Sequence, residues 1–218
     1  VPYNDAELDN AKSELIKLQE LSNAYVRPIA WSGSEKMTIS SKGNTVNVAI
    51  ACWDWPNLYE ARKEEGIKLC TSNWCRPDPR SAPTQSKASC NYTISNMSRS
   101  HASSMNYDDA LMLDYRGYIA ETSAANIFFV KDNVLHTPIA DCFLDGITRQ
   151  TIIDIAKSNN IDIIERYVKP EELHSFNEVF VTGTAAEVTP IIQIDNIKYD
   201  IGPITKLLIN EYQKLCLS

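Results

Sequence analysis

The chain has 218 residues, of which 44% are hydrophobic and 22% are charged, and its formal net charge at neutral pH is −7. This composition is ordinary for a soluble globular protein that buries a core of its own. Its lysines and arginines are spread singly, which argues against a nucleic-acid partner, and its longest apolar runs are too short to span a bilayer.

The N-terminal part of the chain predicts a helix followed by a pair of strands. Residues 5–21 place apolar side chains at helical spacing, with Asn4 or Asp5 as the cap. The segments 24–31 and 45–53 have strand composition and are expected to pair with each other. A proline and a charged stretch then follow. We therefore expect a small α/β domain over residues 1–53, an interdomain segment over 54–64 and a larger domain over 65–218.

The larger domain is predicted to consist mainly of short strands with helices on its outside. In chain order its predicted elements are a strand at 66–74, a proline-rich loop at 76–86, a polar helix at 91–106, strands at 108–114, 118–121, 126–130 and 134–138, a helix at 147–160, a strand at 161–168, a helical turn at 170–175, a strand at 177–183 and a closing helix at 204–217. Gly117 marks the turn between the first two strands after the polar helix. This pattern predicts the α+β class.

Two charged residues stand out because their surroundings are uncharged. Lys87 follows the proline-rich loop among small residues, where it could reach a pocket, lose solvent and act as an amine nucleophile. The alternative is a solvated surface lysine. Glu121 lies in the uncharged run 118–130, where a carboxylate needs a cationic or proton-donating partner. The alternative for Glu121 is a strand end that faces solvent.

Two turns have the composition of anion sites. Gly146, Ile147 and Thr148 open the strongest predicted helix, whose free N–H groups and threonine hydroxyl suit a phosphate; simple capping by Asp145 and Thr148 is the alternative. The segment 183–186 is small or hydroxylated, so a ligand could approach its backbone, or it could be a tight turn only. An amine, a carboxylate and two anion-binding turns are together what pyridoxal phosphate requires.

The six cysteines contain no C-x-x-C pair and the chain has three histidines, so no metal site is expected. Free thiols are predicted, in the interior of a cytoplasmic protein. The first ten residues, VPYNDAELDN, lack the basic and apolar regions of a signal peptide.

The segments PTQSKASCNY, GYIAETSAANIFFV, LDGITRQ and VTGTAAEVTP occur in the order and approximate spacing found in class IV aminotransferases. The chain resembles this fold-type IV family over nearly its whole length, and most closely its branched-chain amino acid aminotransferases. The resemblance implies a small α/β domain followed by a large, mostly β domain with peripheral helices. It also implies pyridoxal 5'-phosphate as cofactor and a ping-pong transfer of an amino group between the branched-chain L-amino acids Leu, Ile and Val and 2-oxoglutarate.

The resemblance assigns roles at the cofactor. It implies that Lys87 is the Schiff-base lysine and proton shuttle, that Tyr92 hydrogen-bonds the phenolic oxygen, and that Glu121 pairs with the pyridine nitrogen. The implied phosphate contacts are Ile147, Thr148 and Thr184.

The resemblance also assigns the substrate pocket. Tyr25 and Arg27 would face it from one strand face, with Arg27 pairing the distal carboxylate of glutamate or 2-oxoglutarate. Ala185 and Ala186 would meet the substrate carboxylate through their backbone. The alternative for Arg27 is a structural salt bridge.

Family members begin with a longer small domain, so residues 1–53 are expected to be the remnant of one. The family also implies a homodimer. A D-amino acid aminotransferase or an aminodeoxychorismate lyase is an alternative within the fold, although Tyr25-Val26-Arg27 argues against both. A second alternative is an inactive remnant that serves as a dimerising module. A third is that the N-terminal piece is a separate chain or lies outside this sequence.

Overall fold

The computed structural model describes residues 1–36, 38–55, 58–62 and 64–217. The chain divides into two compact units, Val1–Pro56 and Asn57–Ser218. Pro56, Asn57 and Lys63, which belong to the predicted interdomain segment 54–64, lie outside the described residues. In the part of the chain that is described, no helix combines the length and apolar character needed to cross a membrane.

The first unit begins with a helix that carries its own cap. Helix α1 spans Asp5–Leu18, and the Asn4 side chain accepts the Glu7 N–H at 3.0 Å while the Glu7 carboxylate accepts the Asn4 N–H at 2.8 Å. This capping box satisfies two N–H groups that a helix start leaves open. The cap is thus Asn4. The helix ends at Leu18, short of the predicted 21, and Glu20 beyond it has the left-handed φ of 54° that helices do not continue through.

The rest of the first unit is the predicted strand pair. Strands β1 (Tyr25–Ser32) and β2 (Val46–Trp53) are antiparallel, with Tyr25 opposite Trp53 and Ser32 opposite Val46. Side chains two residues apart share a strand face. Tyr25 and Arg27 therefore share a face of β1, and the Arg27 guanidinium carbon lies 5.9 Å from the centroid of the Tyr25 ring.

The second unit is one mixed sheet with helices packed against it. Its described strands are β3 (Ile67–Thr71), β4 (Asp109–Leu113), β5 (Ile119–Thr122), β6 (Asn126–Lys131), β7 (Val134–Thr137), β8 (Ile163–Glu165), β9 (Glu178–Gly183), β10 (Glu187–Ile194) and β11 (Ile197–Lys198), and its helices are α2 (Tyr92–Ser104), α3 (Ile147–Ser158) and α4 (Pro203–Leu217). The strand order is β5-β4-β3-β10-β9-β6-β7-β8, with β11 beside β10. Short 3-10 turns occupy Glu60–Arg62, Ser89–Asn91 and Pro170–Ser175. The predicted α+β class is confirmed.

The core lies on both faces of this sheet, because its central strands are buried on both sides. In β6, Ile127 and Phe129 pack into one cluster, while Phe128 and Val130 pack into the other, beneath α3 and α4. Successive strand side chains point to opposite faces, so a strand covered on both faces needs an unbroken apolar run. Residues 127–130, IFFV, are such a run.

Strand β10 was not predicted, because a proline interrupts its pattern. Pro190 pairs with Phe180 of β9, but β3 pairs with β10 only from Ile191 onward. A strand tolerates a proline at a position whose backbone nitrogen does not donate a hydrogen bond to a neighbouring strand. The segment that was treated as a loop after Gly183 is therefore a central strand.

The cysteines only partly follow the prediction. All six are free thiols, but only Cys70 and Cys142 are buried, whereas Cys75, Cys90 and Cys216 are exposed.

Two segments that carry predicted site residues, β5 and the turn after β9, both lie beside the start of β6. Glu121 lies near the end of β5, and Asn126, at the start of β6, pairs with Thr182 near the end of β9. The turn that follows β9 therefore lies beside the start of β6. The fold thereby gathers segments that are far apart in sequence.

Candidate active site

One cleft in the second unit is lined by three of the predicted site residues. Lys87, Tyr92 and Glu121 all line it. They come from the loop before α2, from the first residue of α2 and from β5. An amine, a phenol and a carboxylate thus face one space.

Glu121 is a buried carboxylate with a cationic partner. Its side chain is 7% exposed, so the solvent-facing alternative is wrong. Its Oε1 atom lies 2.8 Å from Nε of Arg76, as an ion pair and not as a directed hydrogen bond. Burial raises the pKa of Glu121 to about 7, while the charge of Arg76 acts in the opposite direction. The group is therefore poised to exchange a proton near neutral pH.

Arg76 is a functional residue that sequence reasoning missed. It is buried, and its guanidinium donates to the Ser95 hydroxyl at 3.0 Å and to the carbonyls of Thr122 and Ser123 at 3.2 Å each. These contacts fix it between α2 and the end of β5. The sequence placed Arg76 in an irregular loop. The signal that could have found it was the need of Glu121 for a cation.

Lys87 lines the cleft but is less sheltered than expected. Its side chain is exposed in the single chain, so the predicted desolvation is not met there. Its Nζ atom lies 5.9 Å from the centroid of the Tyr92 ring, and its charge helps to lower the pKa of Glu121. The amine is thus near enough to the carboxylate for their charges to interact.

The N-terminus of α3 offers backbone donors and not a free hydroxyl. Thr148 itself is buried, so its side chain does not face solvent. Within the described residues, no side chain accepts the N–H groups of Ile147 and Thr148, so the capping alternative is not seen. Asp145 instead accepts from Arg149 and Gln150 at 2.7 Å each. The two N–H groups remain available to an anion.

The turn between β9 and β10 also presents N–H groups. The Ala185 carbonyl accepts the Leu58 N–H at 2.6 Å, and the Ala186 carbonyl accepts the Thr189 hydroxyl at 2.6 Å. Over the described residues, the N–H groups of Ala185 and Ala186 have no such partner. Thr184 is exposed. The fold engages the two carbonyls, whereas the two N–H groups have no backbone partner among the described residues.

The first unit, taken by itself, contains an aromatic cluster around the predicted Tyr25. The Tyr25 ring centroid lies 5.1 Å from that of Trp53 and 4.5 Å from that of Trp55, and the two tryptophans stack at 5.7 Å. Arg27 is exposed, and no acidic side chain in the described ranges pairs with it, so the salt-bridge alternative is not seen. The cluster forms an apolar wall beside a free guanidinium.

Comparison with known proteins identifies the class to which this arrangement belongs. The model of the family described as amino-transferase class IV matches residues 1–194. The chain belongs to the class IV aminotransferase family.

Its relatives carry a more particular name. The chain is similar to the probable branched-chain-amino-acid aminotransferase of Rickettsia bellii, with 44% identity across 99% of this chain and 75% of that protein. A solved branched-chain aminotransferase from Thermoproteus uzoniensis with norvaline superposes with a TM-score of 0.94 at 35% identity, covering 99% of this chain and 72% of that one. The holo-form of the Thermobaculum terrenum enzyme, solved with PLP, gives a TM-score of 0.90 at 30% identity, covering 99% and 71%. The fold-type IV prediction is confirmed.

Proposed function

We propose that this protein is a branched-chain amino acid transaminase that exchanges an amino group between Leu, Ile or Val and 2-oxoglutarate with pyridoxal 5'-phosphate as cofactor. The observation that carries the proposal is the amine of Lys87 and the buried carboxylate of Glu121 lining one cleft in a class IV aminotransferase. The D-amino acid aminotransferase and lyase alternatives are not favoured, because the relatives above carry branched-chain names.

The residues of the cleft fit this cofactor. When bound, pyridoxal phosphate supplies an aldehyde for an amine and an aromatic ring that accepts electrons. Lys87 would provide the amine, and Tyr92 would donate to the phenolic oxygen of the ring. Glu121, whose burial raises its pKa to about 7, would hold a proton at the ring nitrogen. Arg76, fixed by four contacts, would keep that carboxylate in place.

The phosphate would be held by backbone donors. The N–H groups of Ile147 and Thr148 lie at the start of α3, where the helix dipole favours an anion. Thr184, exposed in the turn after β9, would add its hydroxyl.

The proton transfer falls to Lys87. Its free amine would move a proton between the substrate α-carbon and the C4′ position of the cofactor. Lys87 is exposed in the single chain, and bound cofactor and substrate would cover it.

Substrate choice would rest on the aromatic wall and on Arg27. The rings of Tyr25, Trp53 and Trp55 suit aliphatic side chains, and the free guanidinium of Arg27 suits the distal carboxylate of glutamate. The N–H groups of Ala185 and Ala186 would meet the carboxylate that both substrates share. The same site could thus accept the aliphatic side chain of one substrate and the acidic side chain of the other, one after the other.

The test is turnover. We expect the purified chain with added pyridoxal phosphate to convert L-leucine and 2-oxoglutarate into glutamate, and to leave D-alanine unreacted. Turnover of D-alanine alone would refute the proposal.

We also propose a cytoplasmic homodimer, since exposed tryptophans such as Trp31 and Trp55 are typical of surfaces that a partner covers. A native mass of one chain in solution would contradict the dimer.

Replacing Arg27 with glutamine should separate the two substrates. We expect the KM for 2-oxoglutarate to rise by about 10–100-fold, because a charge-assisted hydrogen bond contributes roughly 1.5–3 kcal/mol. The KM for L-leucine should change less than threefold. Lys17→Gln, which removes an exposed cation from α1 of the same unit, is the control. Equal effects on both substrates would show that Arg27 has a structural role.

A further inference from the structure

A single buried amide joins two parts of the site that the sequence treats as separate. Asn126, at the start of β6, is 6% exposed. Its Nδ2 atom donates to the Leu144 carbonyl at 2.9 Å and lies 3.4 Å from Oε2 of Glu121. Its Oδ1 atom accepts the Gly146 N–H at 3.2 Å. One side chain therefore contacts the buried carboxylate of β5 and the first turn of α3.

Only one orientation of this amide satisfies its neighbours. The carbonyl of Leu144 and the carboxylate of Glu121 are acceptors and need the NH₂ group, whereas the Gly146 N–H is a donor and needs the oxygen. A flipped amide would place oxygen against oxygen on one side and N–H against N–H on the other. The network therefore fixes the Asn126 side chain completely.

The contact with α3 is close enough to exclude a side chain at Gly146. A Cβ atom built on Gly146 would lie 2.5 Å from Oδ1 of Asn126, closer than such atoms approach in proteins. The φ of Gly146 is −67°, so its backbone conformation does not require glycine. Gly146 is glycine because the Asn126 amide occupies the space.

Glu121 is consequently held on both of its oxygens. Arg76 faces Oε1 at 2.8 Å and Asn126 faces Oε2 at 3.4 Å. Asn126 is absent from the residues that line the cleft, so it acts through the groups it contacts. Its backbone is in turn anchored by pairing with Thr182 of β9.

We propose that Asn126 is a positioning residue that sets the separation between the Glu121 carboxylate and the N-terminus of α3, so that one cofactor can meet both. The role of these two ends as cofactor contacts rests on the proposed function, but the link between them does not. The proposal explains why Gly146 follows Asp145 at the start of α3, and why an asparagine interrupts an apolar strand pattern.

The link is tested by a double-mutant cycle on the chain without cofactor, read as the midpoint of thermal unfolding. We expect Gly146→Ala to lower the midpoint by about 5 °C, because the added Cβ would overpack the contact with Asn126. In an Asn126→Ala background the same change should shift it by less than about 1 °C, since the obstructing oxygen is gone. Gly183→Ala is the control, because a Cβ there would meet nothing closer than 3.7 Å.

The positioning role is tested by titrating the same variants with pyridoxal phosphate and with pyridoxal. Gly146→Ala should weaken pyridoxal phosphate by about tenfold and pyridoxal little, whereas Asn126→Ala should weaken both by about tenfold. Additive midpoint shifts, or unchanged affinities in a less stable Asn126→Ala chain, would overturn the proposal. Failure of the unsubstituted chain to bind pyridoxal phosphate would refute the proposed function instead, and the unfolding cycle would still decide whether the link exists.

Discussion

Replacing Lys87 with alanine or arginine is expected to lower the turnover of L-leucine with 2-oxoglutarate on the order of 10⁴-fold. General acid–base catalysis alone contributes about 10²–10⁴-fold, and here the same amine would also make the covalent bond to the cofactor. Arginine keeps the positive charge but has no amine that loses its proton near neutral pH. Both variants should therefore fail equally, which separates the chemistry of the amine from its charge.

The measurement is steady-state kinetics, combined with borohydride reduction and mass analysis of the peptide that contains residue 87. The unsubstituted chain should carry the cofactor mass on Lys87, and the variants should not. Lys157→Ala removes an exposed lysine from α3 and serves as the matched control. If Lys87→Arg kept more than a tenth of the rate, another base would have to carry the proton.

The sequence was sufficient for the elements that repeat a simple pattern. The run NIFFV predicts a strand, and the spacing of Ile152, Ile153 and Ala156 predicts a helix, but the sequence alone does not show that β6 is covered on both faces. Strand β10 was not predicted because Pro190 interrupts its pattern. The strand tolerates this proline because β3 begins to pair with β10 only at Ile191. Whether the proline is tolerated thus depends on a neighbouring strand that is distant in sequence.

The site residues likewise divide into those that a local sequence pattern predicts and those that depend on residues elsewhere in the chain. Lys87 and Glu121 could be singled out because their uncharged surroundings left a charge to be explained. Arg76 and Asn126 could not, because each contacts the site from a separate segment, and their contacts with Glu121 span five to 45 residues of chain. Roles that depend on a distant partner are set by the fold.

Replacing Glu121 with glutamine is expected to lower turnover by about 10²–10³-fold, which is the usual cost of removing one fixed electrostatic contact from a reacting centre. Glutamine has nearly the same shape, but its NH₂ group would face one of the two donors, Arg76 or Asn126, that hold the carboxylate. It also carries no negative charge to hold a proton at the ring nitrogen. The loss should therefore appear in kcat more than in KM. Glu171→Gln, an exposed neutralisation in the second unit, is the control.

The same variant should change how stability depends on pH in the chain without cofactor. Burial raises the pKa of Glu121 from 4.5 to about 7 in the folded state. A carboxyl whose folded pKa is raised contributes its full stability below the unfolded value and loses it as pH rises through the folded value. Between pH 5 and 8 this group should therefore cost the chain roughly 2–3 kcal/mol of unfolding free energy, and Glu121→Gln should lack that loss.

Urea unfolding at pH 5.5 and pH 8 measures the difference directly. The variant should be more stable than the parent chain at pH 8, and its advantage should shrink at pH 5.5, where the parent carboxyl is protonated. Added pyridoxal phosphate should raise the stability of the parent chain at pH 8 to that of the variant, because a protonated ring nitrogen would compensate the negative charge of the Glu121 carboxylate. An equal pH dependence in both chains would mean that Arg76, 2.8 Å from Oε1, already keeps Glu121 ionised across this range.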